Sequence, residues 1–161
     1  MGLNIKQMSY DNAKEISKWV YKEPYSIYSM DESDDCINEL LNGEYFSVSD
    51  KDNNLVGYYC FGKSAQVPVG NKFGVYDLKD IADIGLGIKP DMCGKGLGFR
   101  FLSGCLDFAR NAQSTKDFRL TVAAFNQRAI KVYERAGFKK VSSFERISDS
   151  GKIEFWVMVL Y

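Results

Sequence analysis

Apolar and polar residues alternate at the start of the chain, at Leu3 and Ile5. The period then changes, and Ala13, Ile16, Trp19 and Val20 fall on one helical face. The first stretch predicts a strand and the second a helix with Asp11 as its N-cap. Ser33 or Asp34 caps a second helix, which carries Ile37, Leu40 and Leu41 and closes at Gly43. Glu44–Ser49 and Leu55–Phe61 read as strands joined by a turn over residues 50–54. Residues 62–80 read two ways. Val67, Val69 and Val75 would extend an edge strand, whereas Gly62, Pro68, Gly70 and Gly74 favour a loop. Ile84, Leu86 and Ile88 then alternate with Gly85, Gly87 and Lys89 until Pro90, which has no N–H for a ladder. Glycines inside a strand mark a bulge, or close approach by a ligand or another backbone.

Gly94, Gly96 and Gly98 make a turn that opens a helix of about four to five turns. Leu97, Phe101, Cys105, Phe108 and Ala112 repeat along it, as do Gly98, Leu102 and Ala109. Phe118, Leu120 and Val122 predict another strand. Asn126 caps a helix containing Ala129, Ile130, Val132, Tyr133 and Ala136 that stops at Gly137. Phe138–Ile147 and Lys152–Leu160 form a closing hairpin. The predicted order is β-α-α-β-β-β-α-β-α-β-β, and no linker, repeat or low-complexity tract interrupts it. Residues 1–161 are therefore read as one domain.

Composition narrows the chemistry. The chain has 161 residues, enough for one domain with a real core, and its hydrophobic share of 45% suits a soluble globular protein. Lys+Arg and Asp+Glu balance at 21 each, which gives no electrostatic case for nucleic acid or an anionic membrane. No stretch approaches the ~18 apolar residues of a membrane span, and the start of the chain does not read as a signal peptide. Cys36, Cys60, Cys93 and Cys105 are scattered, so a reduced cytoplasmic setting is expected. There is no histidine. That removes imidazole bases, Ser–His and Cys–His pairs and histidine metal ligands, and no metal is expected. Chemistry must then use carboxylates, Tyr, Lys, Cys, backbone or water.

The glycine turn presents backbone N–H groups at the positive end of a helix dipole, an arrangement suited to phosphate. The bland alternative is glycine kept for packing alone. A dinucleotide fingerprint starting at Gly94 would need Gly at 99, which is Phe99. A nucleoside-triphosphate loop built on Gly94-Lys95 would need Gly at 89 and Ser or Thr at 96, where the chain has Lys89 and Gly96. What fits is a Gly-x-Gly-x-Gly turn after an apolar strand ending in Pro. It resembles the acyl-CoA-binding motif of the GNAT superfamily of N-acyltransferases, Gln/Arg-x-x-Gly-x-Gly/Ala. Here Cys93 stands where that family usually has Arg or Gln. Downstream, Asn126-x-x-Ala129-x-x-x-Tyr133-x-x-x-Gly137-Phe138 resembles the second GNAT motif at every spacing. The two motifs are also the family's distance apart, and the element order agrees.

The resemblance implies an α+β fold in α/β/α layers, with a mixed, mainly antiparallel sheet of about seven strands and about four helices. It implies acetyl-CoA as acyl donor and an amine as acceptor. Backbone groups of Leu86, Gly87 and Ile88 would meet the pantetheine arm and acyl carbonyl, polarising the thioester. The loop from Cys93 through Gly94, Lys95, Gly96, Leu97 and Gly98 to Phe99 would hold the pyrophosphate. Asn126 would bond the arm, and Tyr133 would both touch it and protonate the departing thiolate. Taken singly, Asn126 is equally an N-cap and Tyr133 a core aromatic. No motif marks the base that deprotonates the amine. Asp83 and Glu23 are the two candidates, with ordered water as the other route.

The aromatic stretch from Tyr21 to Met30 is either a loop pinned by its tyrosines or a wall of the acceptor site. The acidity at Asp31, Glu32, Asp34 and Asp35 suits a helix N-terminus, and a cationic substrate is the other reading. A non-catalytic acyl-CoA sensor on the same fold is the competing function. The acceptor's identity stays open, as does a homodimer.

Overall fold

The structure, a computed structural model, describes residues 2–113 and 115–161. Residue packing divides the chain into two compact units, Met1–Cys60 with Leu86–Leu97, and Phe61–Gly85 with Gly98–Tyr161. The boundaries fall inside the Leu55–Phe61 strand, inside the Ala82–Ile88 strand and just before the helix that starts at Gly98, not at linkers.

The first unit contains β1 (Asn4–Gln7), α1 (Tyr10–Ile16), α2 (Asp34–Leu40), β2 (Tyr45–Ser49) and nearly all of β3 (Leu55–Phe61). β1 pairs antiparallel with β2 and β2 with β3, with Ile5 opposite Val48 and Phe46 opposite Tyr59. Ala13, Ile16, Leu40, Val48 and Val56 are buried. Ser9, not Asp11, caps α1, since its hydroxyl accepts from the Asn12 N–H at 3.2 Å. α1 also stops short. Ser17 ends it, its hydroxyl donating back to the Lys14 carbonyl at 2.7 Å. Trp19 and Val20 therefore lie beyond the helix, and Val20 is exposed while Trp19 is buried. Ser33 caps α2 as expected, accepting from the Cys36 N–H at 3.0 Å. Leu41 is the C-cap, and Gly43 follows in a left-handed conformation rather than closing the helix directly.

β4 (Ala82–Ile88) is shared, its last three residues belonging to the first unit and its first four to the second. The second unit continues with α3 (Gly98–Gln113), β5 (Phe118–Ala123), α4 (Gln127–Arg135), β6 (Lys139–Ser148) and β7 (Gly151–Leu160). β4 runs parallel to β5, with Asp83 opposite Arg119, while β5–β7 and β7–β6 are antiparallel. The hydrogen-bonded strand order is β1-β2-β3-β4-β5-β7-β6, the mixed, mainly antiparallel α+β arrangement expected. Phe101, Leu102, Cys105, Leu106 and Ala109 form the buried stripe of α3, but Ala112 is exposed.

Residues 62–80 form no strand. Gly62–Ala65 and Pro68–Phe73 are two 3-10 helices. Pro68 opens the second, where its missing N–H costs nothing. At Gly70 a Cβ would come within 2.9 Å of both Tyr76 and Val75, so no larger side chain fits. Among the described residues no helix is long and apolar enough to cross a membrane.

Candidate active site

In the first unit, the end of β4 and the turn that follows gather most of the expected donor-binding residues. Gly87 has a reason unseen in the sequence: a Cβ there would lie 2.2 Å from the ring of Tyr58. The close approach expected at a strand glycine is thus made by an aromatic side chain. Tyr58 is enclosed by Tyr45 and Trp19, at ring distances of 5.7 and 6.2 Å, and burial pushes its hydroxyl well above the ordinary range. The Ile88 carbonyl accepts the Tyr21 hydroxyl at 2.7 Å. Burial, and secondarily the nearby Cys93, raise the Tyr21 pKa, so it is a neutral donor. This settles the reading of the aromatic stretch as far as Tyr21 goes: it pins the loop.

Beyond Pro90 the chain makes a short 3-10 turn, and the Cys93 thiol turns back to within 3.6 Å of the Ile88 and Lys89 carbonyls. Gly94, Lys95 and Gly96 are exposed. Gly94 has φ +75° and Gly96 φ +78°, so both occupy the left-handed region where glycine is at home. No heavy atom lies within 4 Å of a Cβ built on Gly96, which leaves that side of the turn open. Glu23 is exposed and accepts a hydrogen bond from the Ser26 hydroxyl.

In the second unit, Gly98 starts α3 and lies against α4, where a Cβ would stand 3.1 Å from Val132. Phe99 lies beneath the Arg135 guanidinium at 4.1 Å. Asn126 caps α4, its side-chain oxygen accepting from the Ala129 N–H at 3.2 Å. Tyr133 is half-buried two turns along the same helix, with its ring edge-on to Phe138 at 6.1 Å.

Asp83 is buried and closely held. Arg119 donates to its two oxygens at 2.6 and 2.8 Å, and Gln66 donates to the second at 2.9 Å. The same guanidinium donates to the Val75 and Leu78 carbonyls and lies 5.1 Å from the centre of the Tyr76 ring. Both oxygens of the Asp83 carboxylate are thus already engaged as acceptors. Sequence reasoning missed Arg119 and Gln66. The available signal was Arg119 itself, a cation between Phe118 and Leu120 in an otherwise apolar strand.

The sequence profile of the Acetyltransferase (GNAT) family matches residues 10–138, and so spans most of the chain. The chain belongs to this family. Its activity is accordingly of the acyltransferase class. No curated protein sequence matches the chain significantly. Among solved structures, a GNAT-family acetyltransferase from Bacillus anthracis superposes with a TM-score of 0.75 at 15% identity, covering 99% of this chain and 95% of its own. A dodecameric spermidine N-acetyltransferase from Vibrio cholerae superposes with a TM-score of 0.68 at 20% identity, covering 99% and 93%. These likenesses establish the fold, and the chemistry rests on the family and the residues above.

Proposed function

We propose that residues 1–161 act as one N-acetyltransferase domain that moves the acetyl group of acetyl-CoA to a primary amine by direct attack on the thioester. The observation that supports this most is the exposed Gly94-Lys95-Gly96 turn, with both glycines at positive φ and Gly96 open on its free side, running directly into α3 at Gly98. Such a turn offers N–H groups to a pyrophosphate, and any side chain at Gly96 would occupy the ligand's space. Leu86, Gly87 and Ile88 are assigned to the arm and the acyl carbonyl, the span from Cys93 to Phe99 to the pyrophosphate, and Asn126 to the arm.

The neutral amine attacks the acetyl carbon, a C–N bond forms, the C–S bond breaks, and the electron pair leaves with sulfur. Tyr133 is assigned to protonate that thiolate; with ordinary values of about 10 for a phenol and about 8.5 for a thiol the transfer is slightly uphill, and return of a proton from water to the tyrosinate completes it. The ammonium proton leaves through Glu23, which is exposed, or through ordered water. Asp83 ranks behind both because Arg119 and Gln66 occupy its carboxylate. The cytoplasm is the expected setting.

Two measurements test the proposal. Calorimetry should show acetyl-CoA binding that weakens about tenfold, or about 1.4 kcal/mol, in Gly96→Ala. Wild-type affinity in that variant, with the fold intact by circular dichroism, removes the basis of the assignment. A panel of primary amines, polyamines included because the Vibrio cholerae neighbour is a spermidine N-acetyltransferase, then asks for turnover. With an accepted amine, Tyr133→Phe should slow single-turnover transfer by about 10²–10³ while acetyl-CoA affinity holds. Binding without turnover on any amine would support the sensor reading instead.

A further inference from the structure

The chain leaves β4 through the peptide that joins Ile88 to Lys89, and both polar groups of that peptide are engaged. The Lys89 N–H donates to the Val56 carbonyl at 2.9 Å. The Ile88 carbonyl accepts the Tyr21 hydroxyl at 2.7 Å, with the Cys93 thiol a more distant neighbour at 3.6 Å. One residue earlier, Gly87 is packed under the Tyr58 ring. The plane of this last peptide is therefore set from both edges, ahead of the Pro90–Met92 turn that leads to the glycines.

Tyr21 is fixed in its own right. Its N–H donates to the Ser29 hydroxyl at 2.9 Å. The Met30 N–H donates to the Trp19 carbonyl at 2.8 Å and the Glu32 N–H to that of Ser17 at 2.9 Å, so the segment closes on itself. Glu23, Tyr25, Ile27 and Tyr28 lie inside that closed segment, and Ile27 is exposed. One hydroxyl thus joins the aromatic loop to the strand end. A phenol suits the position, because burial keeps it protonated and it brings no charge to the Ile88 carbonyl.

We infer that Tyr21 is a positioning residue for acetyl transfer: its hydroxyl orients the Ile88–Lys89 peptide, and through it the backbone of Leu86–Ile88 that is to hold the acetyl carbonyl. The inference rests on the proposed function. Tyr21 acts through the strand and not on the reacting atoms. Its bond also ties the loop to the donor strand, so displacement of one reaches the other. Small misplacements of a reacting group are costly in rate even when binding is kept.

Tyr21→Phe removes the hydroxyl and keeps the ring. Tyr45→Phe is the control, since the Tyr45 hydroxyl of the same unit donates to Glu39 at 3.3 Å and not to β4. Three readouts are needed: amide hydrogen exchange at Lys89, acetyl-CoA affinity by calorimetry, and the single-turnover rate with an amine the wild type acetylates. In Tyr21→Phe, Lys89 exchange should quicken about tenfold and transfer should slow about tenfold, the scale of one lost hydrogen bond. Donor affinity should stay within about twofold. Tyr45→Phe should leave all three unchanged. Cys93→Ala should give a smaller exchange change of the same sign, and the double variant with Tyr21→Phe should depart from additivity, because both groups face one carbonyl.

Unchanged Lys89 exchange overturns the inference. So does faster exchange with wild-type transfer, or a rate loss that tracks donor affinity alone. Wild-type protein that binds no acetyl-CoA sinks the proposed function itself, and the positioning role with it. Wild-type protein that binds and transfers, beside a Tyr21→Phe variant that does so equally well, sinks this inference only.

Discussion

The two halves of β4 are held by opposite kinds of chemistry. Its beginning, in the second unit, is tied by charge: Asp83 meets Arg119 and Gln66 in a buried cluster in which each donor has an acceptor. Its end, in the first unit, is tied by neutral groups, a tyrosine hydroxyl on Ile88 and a tyrosine ring against Gly87. A buried ion pair is rigid but unforgiving, because removal of one partner strands the other in a low-dielectric interior. A phenol on a carbonyl gives direction without a net charge. The proposed function assigns the thioester to the neutral end, whose backbone N–H groups would meet the negative charge developing on its carbonyl.

The largest test breaks the charged half. Asp83→Asn leaves the Arg119 guanidinium, only 5% exposed, without its counter-ion, and should cost about 3–5 kcal/mol by urea unfolding. Exchanging the pair for Leu and Met should recover only part of this, because Gln66 and the Val75 and Leu78 carbonyls lose their partner too. If Asp83 instead takes the amine proton, the loss will appear in kcat/KM while the unfolding midpoint holds.

A smaller effect is expected at the neutral half. Gly87→Ala drives a methyl into the Tyr58 ring and should destabilise by about 1–3 kcal/mol. The penalty should shrink in a Tyr58→Leu background, where the obstructing ring is gone; equal penalties in both would place the strain elsewhere.

The mildest perturbation is alkaline pH. Burial is the leading cause that raises Tyr21, Tyr45, Tyr58 and Tyr76, so each binds its proton more tightly folded than unfolded. The stability this contributes is fully present below the unfolded value of about 10 and is lost as pH rises above it toward the folded values. Burial also pushes the Cys60 thiol up to about 12, so unfolding free energy should begin to fall at about pH 9 and fall more steeply beyond about 10, with tyrosinate absorbance beyond that of the exposed Tyr10 and Tyr161 appearing together with loss of structure. Tyrosinate in excess of the exposed Tyr10 and Tyr161, formed well before unfolding, would show the other phenols to be open to solvent.

Much of the architecture was legible because it is local. The order of strands and helices followed from periodicity, and Ser33, Asn126 and Gly137 mark helix ends by their own chemistry. The helix read as running through Val20 failed for a local reason too: Ser17 bonds back to Lys14 and ends α1. Residues 62–80 could not be resolved from pattern, because their valines obey a strand period while Gly70 is dictated by contacts with Tyr76, Val75 and Phe144.

The sequence by itself determined the element order, the open glycine turn and the Asn126–Tyr133 spacing, all of which depend on neighbours a few residues away. Only the tertiary structure decided what each end of β4 touches. Tyr21 and Ile88 are 67 residues apart, Asp83 and Arg119 36, and Gln66 and Asp83 17. No periodicity relates such positions. Their meeting depends on which strands pair and in what register, and a one-residue slip would turn Asp83 or Gly87 to the other face of the sheet.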